Sequence, residues 1–174
     1  KSQRFPFDRF KEKGSWSLEH IHAQQSEGMR KQEEWKKWLE LHLDSLIAVE
    51  ADNELIERVQ ILLEQEKLER NDFEAVQTDV IKALSVDTDV EYIHSISNMA
   101  LLNSRDNAAL NNSTFDVKRN LIIDLDKKGK YIPFCTKMVF LKYYTESDKN
   151  QIHFWGQADR EAYVREINKV LKPY

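Results

Sequence analysis

The stretch WSLEHIHAQQ, residues 16–25, decides how this chain is read. Apolar and polar residues alternate up to Glu19, and His20, Ile21 and His22 follow. A strand has a period of two, so over residues 16–22 Glu19 and Ile21 share one face and His20 and His22 the other. Two imidazoles on one face, beside a carboxylate, admit three readings. They are a metal site, a general base with a ligand as its neighbour, or a polar strand end.

After Ser26 the period changes. Trp35, Trp38, Leu39, His42, Leu46 and Ile47 recur at three and four, which predicts an amphipathic helix over 28–49. Leu55, Ile56, Val59, Leu62 and Leu63 predict a second over 52–70, and Phe73, Val76, Val80, Ile81 and Leu84 a third. Asn71 with Glu74 has the spacing of a capping box for the third. These helices form a unit with a charged surface, inserted at residues 26–90. His42 reads as a partly buried helix residue. Downstream, residues 97–102 suit a short strand, and the Asn- and Ser-rich stretch that follows suits a turn. Phe115, Ile122 and Ile123 predict a helix over 113–128 ending at Gly129. Residues 133–144 suit a strand or a buried helix equally, and 158–171 a final helix. Residues 1–14 read as an irregular arm packed by Phe5, Phe7 and Phe10.

The fold class expected is α+β and mostly helical. A small core at 15–25 and 92–128 carries the helical insertion between its strands, and 129–174 form a C-terminal cap. With 174 residues the chain suits one domain able to bury a proper core. The lone Cys135 excludes an internal disulfide and a cysteine-rich zinc site, and its apolar surroundings suggest a buried, inert thiol. No run of 18 apolar residues is present, so no membrane partner is expected, and a reducing cytoplasm suits the composition. A first residue of lysine is taken to mark a C-terminal piece of a longer protein.

Net charge is −4, but it is unevenly spread. Residues 26–91 hold 18 Asp/Glu against 8 Lys/Arg, and the remainder holds 12 against 18. A polyanion feels local charge, because screening removes contributions beyond about 8 Å. The body outside the insertion is therefore compatible with nucleic acid, while the acidic insertion suits a protein partner or a neighbouring domain.

Taken together, EHIHAQ (residues 19–24), NMALLNSRDN (residues 98–107) and the Phe115, Lys118, Arg119 pattern resemble the HNH nucleases. Those enzymes grip one divalent metal with a hairpin and a helix, the ββα-metal motif. EHIHAQ stands where they show an acid-His-Ile-x-Pro-Gln signature. Asn98 precedes Asn107 by nine residues, a spacing similar to that in the HNH domain of RNA-guided CRISPR effectors. The likeness is closer to the C-terminal HNH domains of GmrSD-type type IV restriction proteins, and of defence proteins joining a ParB-like domain to an HNH domain. VFLKYY, Trp155 and ADREAYVREI also look like that family.

The resemblance implies a metal-dependent DNA endonuclease of restriction or phage defence. In it His20 is the general base, Asn98 orients the hairpin, and Glu19 and Asn107 hold Mg²⁺ or Mn²⁺. Lys118, Arg119 and, as an alternative to simply sharing the strand face, His22 contact the phosphates of DNA. An N-terminal NTP-binding domain is implied as a regulatory partner, absent from these 174 residues. Three departures stand out. Asn107 replaces the last histidine, which favours hard ions over Zn²⁺. Ala23 replaces proline, and Asn98 lies 78 positions after His20.

Three rival readings follow from the residues alone. A barrel-type metal hydrolase could use His-x-His, but needs about 250 residues. A non-catalytic DNA- or protein-binding module could use the same scaffold. A purely structural helical domain leaves EHIH unexplained.

Overall fold

The computed structural model describes residues 15–23, 29–86, 92–104, 113–146 and 151–173. Strand β1 (Trp16–His20) pairs antiparallel with β2 (Met99–Asn103), with Glu19 opposite Ala100 and His20 opposite Met99. Between them in sequence the described residues form three α-helices, α1 (Gln32–Ala48), α2 (Asn53–Glu64) and α3 (Arg70–Ala83). After β2 come α4 (Phe115–Lys127), the short α5 (Phe134–Phe140) and α6 (Gln157–Leu171). The described chain is thus α+β and mostly helical, with one two-stranded sheet.

Two apolar clusters organise it. The first lies within the three-helix unit, where Trp35, Trp38, Leu39 and Leu46 of α1 meet Val59 and Leu62 of α2 and Phe73, Val76 and Val80 of α3. Spacings of three and four put these residues on one stripe per helix, as the periodicity requires. Helix α2 begins at Asp52, whose side chain accepts from the Glu54 amide. It stops at Glu64 rather than continuing to 70. Helix α3 starts after Glu69, with no side-chain cap. The expected Asn71–Glu74 box is absent because the helix already begins at Arg70, which places Asn71 inside its first turn, and Glu74 pairs instead with Arg70 Nε at 2.6 Å.

The second cluster lies behind the sheet. Ile21, Ala100 and Leu102 pack with Phe115 and Ile122 of α4, Val139 and Phe140 of α5, Trp155, and Tyr163 of α6. Phe115 stacks between Phe140 and Trp155, with centroids 5.8 and 5.6 Å away. Residues 133–144, left open between strand and helix, contain α5. Asp159 anchors α6 by accepting from the Gly156 amide, Lys142 Nζ and Thr145 Oγ1. The C-terminus of α4 turns at Gly129, whose φ of 75° costs glycine little.

Cys135 is exposed, contrary to the buried thiol expected from its neighbours. Helix α5 is amphipathic, and it buries Thr136, Val139 and Phe140 while turning Phe134 and Cys135 outwards. The arm at 1–14 lies outside the described residues. No helix among those described is long and apolar enough to cross a membrane.

Candidate functional site

The strand, the turn before β2 and α4 converge on residues 19–22. The period-two rule holds as far as His20. Glu19 sits on the inner face with Ala100 and Leu102, whereas Leu18 on the outer face is 67% exposed. Beyond His20 the chain leaves the strand and bends. His20 and His22 therefore do not share a face, as simple alternation predicts. His20 is half-buried at the surface, and His22 turns fully inwards.

Asn98 produces that bend. Its Oδ1 accepts from the His22 amide at 3.0 Å, and its Nδ2 donates to the His22 carbonyl at 2.9 Å and to the Ile93 carbonyl at 3.1 Å. Its own carbonyl accepts from the Ile21 amide at 2.8 Å. One fully buried amide side chain thus ties the end of β1 to the start of β2 and to the turn carrying His94. Each bond satisfies a backbone group that strand geometry leaves open where the ladder ends.

Lys118 comes from α4 and is wholly buried. Its Nζ donates to Glu19 Oε1 at 2.5 Å and to the His20 carbonyl at 2.6 Å. Burial pulls this ammonium below its ordinary range, and the adjacent Glu19 carboxylate opposes that pull. The phosphate contact expected of Lys118 gives way to an internal ion pair, because the inner sheet face delivers Glu19 to α4. Arg119, one residue on, is half-buried, with its Nε lacking a hydrogen-bond partner among the described residues.

His22 is likewise engaged internally rather than aimed at a phosphate. Its Nδ1 accepts from the Phe115 amide at 3.1 Å. Its Nε2 lies 2.9 Å from Ser85 Oγ, whose own hydrogen goes to the Ile81 carbonyl. These partners require the neutral tautomer with the hydrogen on Nε2. His42 mirrors it. Nδ1 donates to the Trp38 carbonyl at 2.8 Å and Nε2 accepts from the Thr114 amide at 3.2 Å. Two imidazoles thus take amides at the start of α4, where a Ser or Asp side chain more often caps. Ser45 Oγ and His153 Nδ1 both donate to Asp116 in the first turn of the same helix. This polar layer joins the three-helix unit to the second cluster.

Burial pushes the His22 and His42 imidazoles down to about 3, with Lys118 adding to it in both. Unfolded, each histidine titrates near 6.5. The unfolded chain then binds more protons than the folded one between about 3 and 6.5, so this contribution is full above pH 6.5 and lost as pH falls. At pH 5.5 each histidine should cost about 1.4 kcal/mol of stability. Urea unfolding at pH 7.5 and 5.5 should differ by about 2–3 kcal/mol. An unchanged midpoint would sink the neutral-cap assignment.

His20 has a different environment. Burial lowers its pKa, helped by Lys118 and His94 and opposed by Glu19. The imidazole is therefore neutral at pH 7 and able to take a proton. Its Nε2 lies 3.3 Å from Nδ1 of His94, an exposed residue of the turn before β2. Spacing in the sequence offers no cue to His94, because it reaches the site from 74 positions further along the chain. The same holds for Ser85 and His42. Asn107 lies outside the described residues. Among those described, no cluster of three or more His, Cys, Asp or Glu side chains could hold a metal ion.

No family model, no curated protein and no solved structure matches the chain.

Proposed function

We propose that the chain is a metal-dependent DNA endonuclease of the ββα-metal, or HNH, type in a His-Asn-Asn form. It is read as the C-terminal, cytoplasmic effector part of a GmrSD-like restriction or phage-defence protein. The observation that carries this reading is the Asn98 clamp. It holds a neutral, half-exposed histidine at the junction of two antiparallel strands, with the following helix anchored beneath it through Lys118.

In this reading His20 accepts a proton from water as the water oxygen bonds to phosphorus and the bond to the departing 3′-oxygen breaks. General-base assistance contributes about 10²–10⁴-fold. Bound Mg²⁺ or Mn²⁺ supplies positive charge for the phosphate and the leaving oxygen. Glu19 fits such an ion in type, being a hard oxygen donor next to His20 with 11% of its side chain exposed. Asn107 is proposed as the second ligand. Arg119 and the basic body are proposed to hold the DNA backbone.

One observation favours a non-catalytic DNA- or protein-binding module instead. The Glu19 carboxylate is already neutralised by Lys118. Cleavage of supercoiled plasmid separates the two. The endonuclease should nick DNA in Mg²⁺ or Mn²⁺ and stop in chelator. Retention of DNA with no cutting would establish the binding module.

A further inference from the structure

We infer that His20 and His94 form a chelating pair for a divalent transition ion of borderline softness, represented by Zn²⁺. This site is separate from the oxygen site proposed for Mg²⁺ or Mn²⁺. The facing nitrogens, His20 Nε2 and His94 Nδ1, lie 3.3 Å apart and share one hydrogen, which the ion would displace. A tetrahedral ion with Zn–N bonds of about 2.0–2.1 Å needs two nitrogens about 3.3–3.4 Å apart. The ring centroids are 5.4 Å apart at 62°, so the rings do not stack, and the nitrogens approach in advance of the ring centres. His94 is exposed and His20 half-buried, so water can complete the coordination sphere.

The pair is preorganised. Asn98 accepts from the amide of Ile21, next to His20, through its own carbonyl, and its Nδ2 donates to the carbonyls of His22 and of Ile93, next to His94. One buried amide therefore sets the distance between rings 74 positions apart. The other histidines are excluded as rivals. The sequence has five, and His22 and His42 each have both ring nitrogens hydrogen-bonded inside the protein. His153 is held by Asp116. Imidazole prefers Zn²⁺, Cu²⁺ or Ni²⁺ to Mg²⁺, which prefers oxygen.

An ion on His20 Nε2 and His94 Nδ1 would also hold the base away from water. That consequence, inhibition of cleavage by Zn²⁺, rests on the endonuclease reading, whereas the binding itself does not. Isothermal titration of the metal-free chain with Zn²⁺, without DNA, tests the site directly. Wild type should take up one equivalent. His94→Ala and His20→Ala should each weaken that binding at least about tenfold, since a single imidazole remains. Cys135→Ser should leave it unchanged. Equal binding by wild type and His94→Ala, or none by wild type, would overturn the site. In the plasmid assay, Zn²⁺ added to Mg²⁺-driven reactions should inhibit wild type and not His94→Ala. Zinc binding without any plasmid cutting would uphold the chelating pair while refuting the nuclease reading.

Discussion

Replacing His20 by alanine should lower plasmid cleavage by about 10²–10⁴-fold while leaving DNA retention and the melting temperature close to wild type. The size follows from the role proposed for the imidazole, which takes the proton of the attacking water in the transition state. The selectivity follows from its position. His20 is half-exposed, its carbonyl is what Lys118 holds, and its backbone pairing with Met99 survives the substitution. Among the described residues, only the contact with His94 goes with the side chain. His20→Ala should therefore separate chemistry from folding more cleanly than a change at Asn98, whose side chain satisfies three backbone groups. Metal-dependent cleavage that persists undiminished in His20→Ala would remove this residue from the mechanism. Comparing single-turnover rates with binding measured in chelator makes the distinction.

Lys118→Met should cost about 3–5 kcal/mol of folding stability, far beyond an ordinary surface substitution. The ammonium is completely buried, so removing it strands the Glu19 carboxylate on the inner face of the sheet and leaves the His20 carbonyl without its donor. Breaking a buried pair is expensive because the remaining charge has no water to turn to. Replacing both partners, Glu19→Gln with Lys118→Met, should recover a substantial part of the loss. Urea unfolding of the two single variants and the double variant closes the cycle. If the double variant is less stable than Lys118→Met, the cost arises from packing of the lysine stem and not from the pair. The experiment also bears on the metal. Mg²⁺ should stabilise Lys118→Met more than wild type if Glu19 is its ligand, because the cation then takes the place of the ammonium.

The helices were largely legible in the sequence because their information is local. Trp35, Trp38, Leu39 and Leu46 repeat with the period of one element, and that period survives whatever the element packs against. Boundaries were less legible. Helix α2 ends at Glu64 because the chain must turn before Leu68 enters the three-helix core, a requirement no propensity encodes. Residues 133–144 could not be decided by period, since a short apolar run suits a strand or a helix equally. Cys135 shows the limit of judging burial from neighbours, because in a helix adjacent residues point in directions about 100° apart.

The sequence by itself determined a mostly helical α+β chain, a short strand carrying Glu19 and His20, and a charged three-helix unit ahead of the second strand, whereas the end of the first strand at His20 instead of His22 came from the structure. What only the tertiary structure decided is the partner of each polar group. Glu19 pairs with Lys118, His22 and His42 take the amides that open α4, and His20 meets His94. These partners come from elements 72 to 99 positions apart. The reason is physical. Hydrophobic periodicity is written along the chain because each helix or strand buries one face. A buried polar group is satisfied by whichever donor or acceptor the assembled core brings within about 3 Å, and that distance exists only once the core has formed.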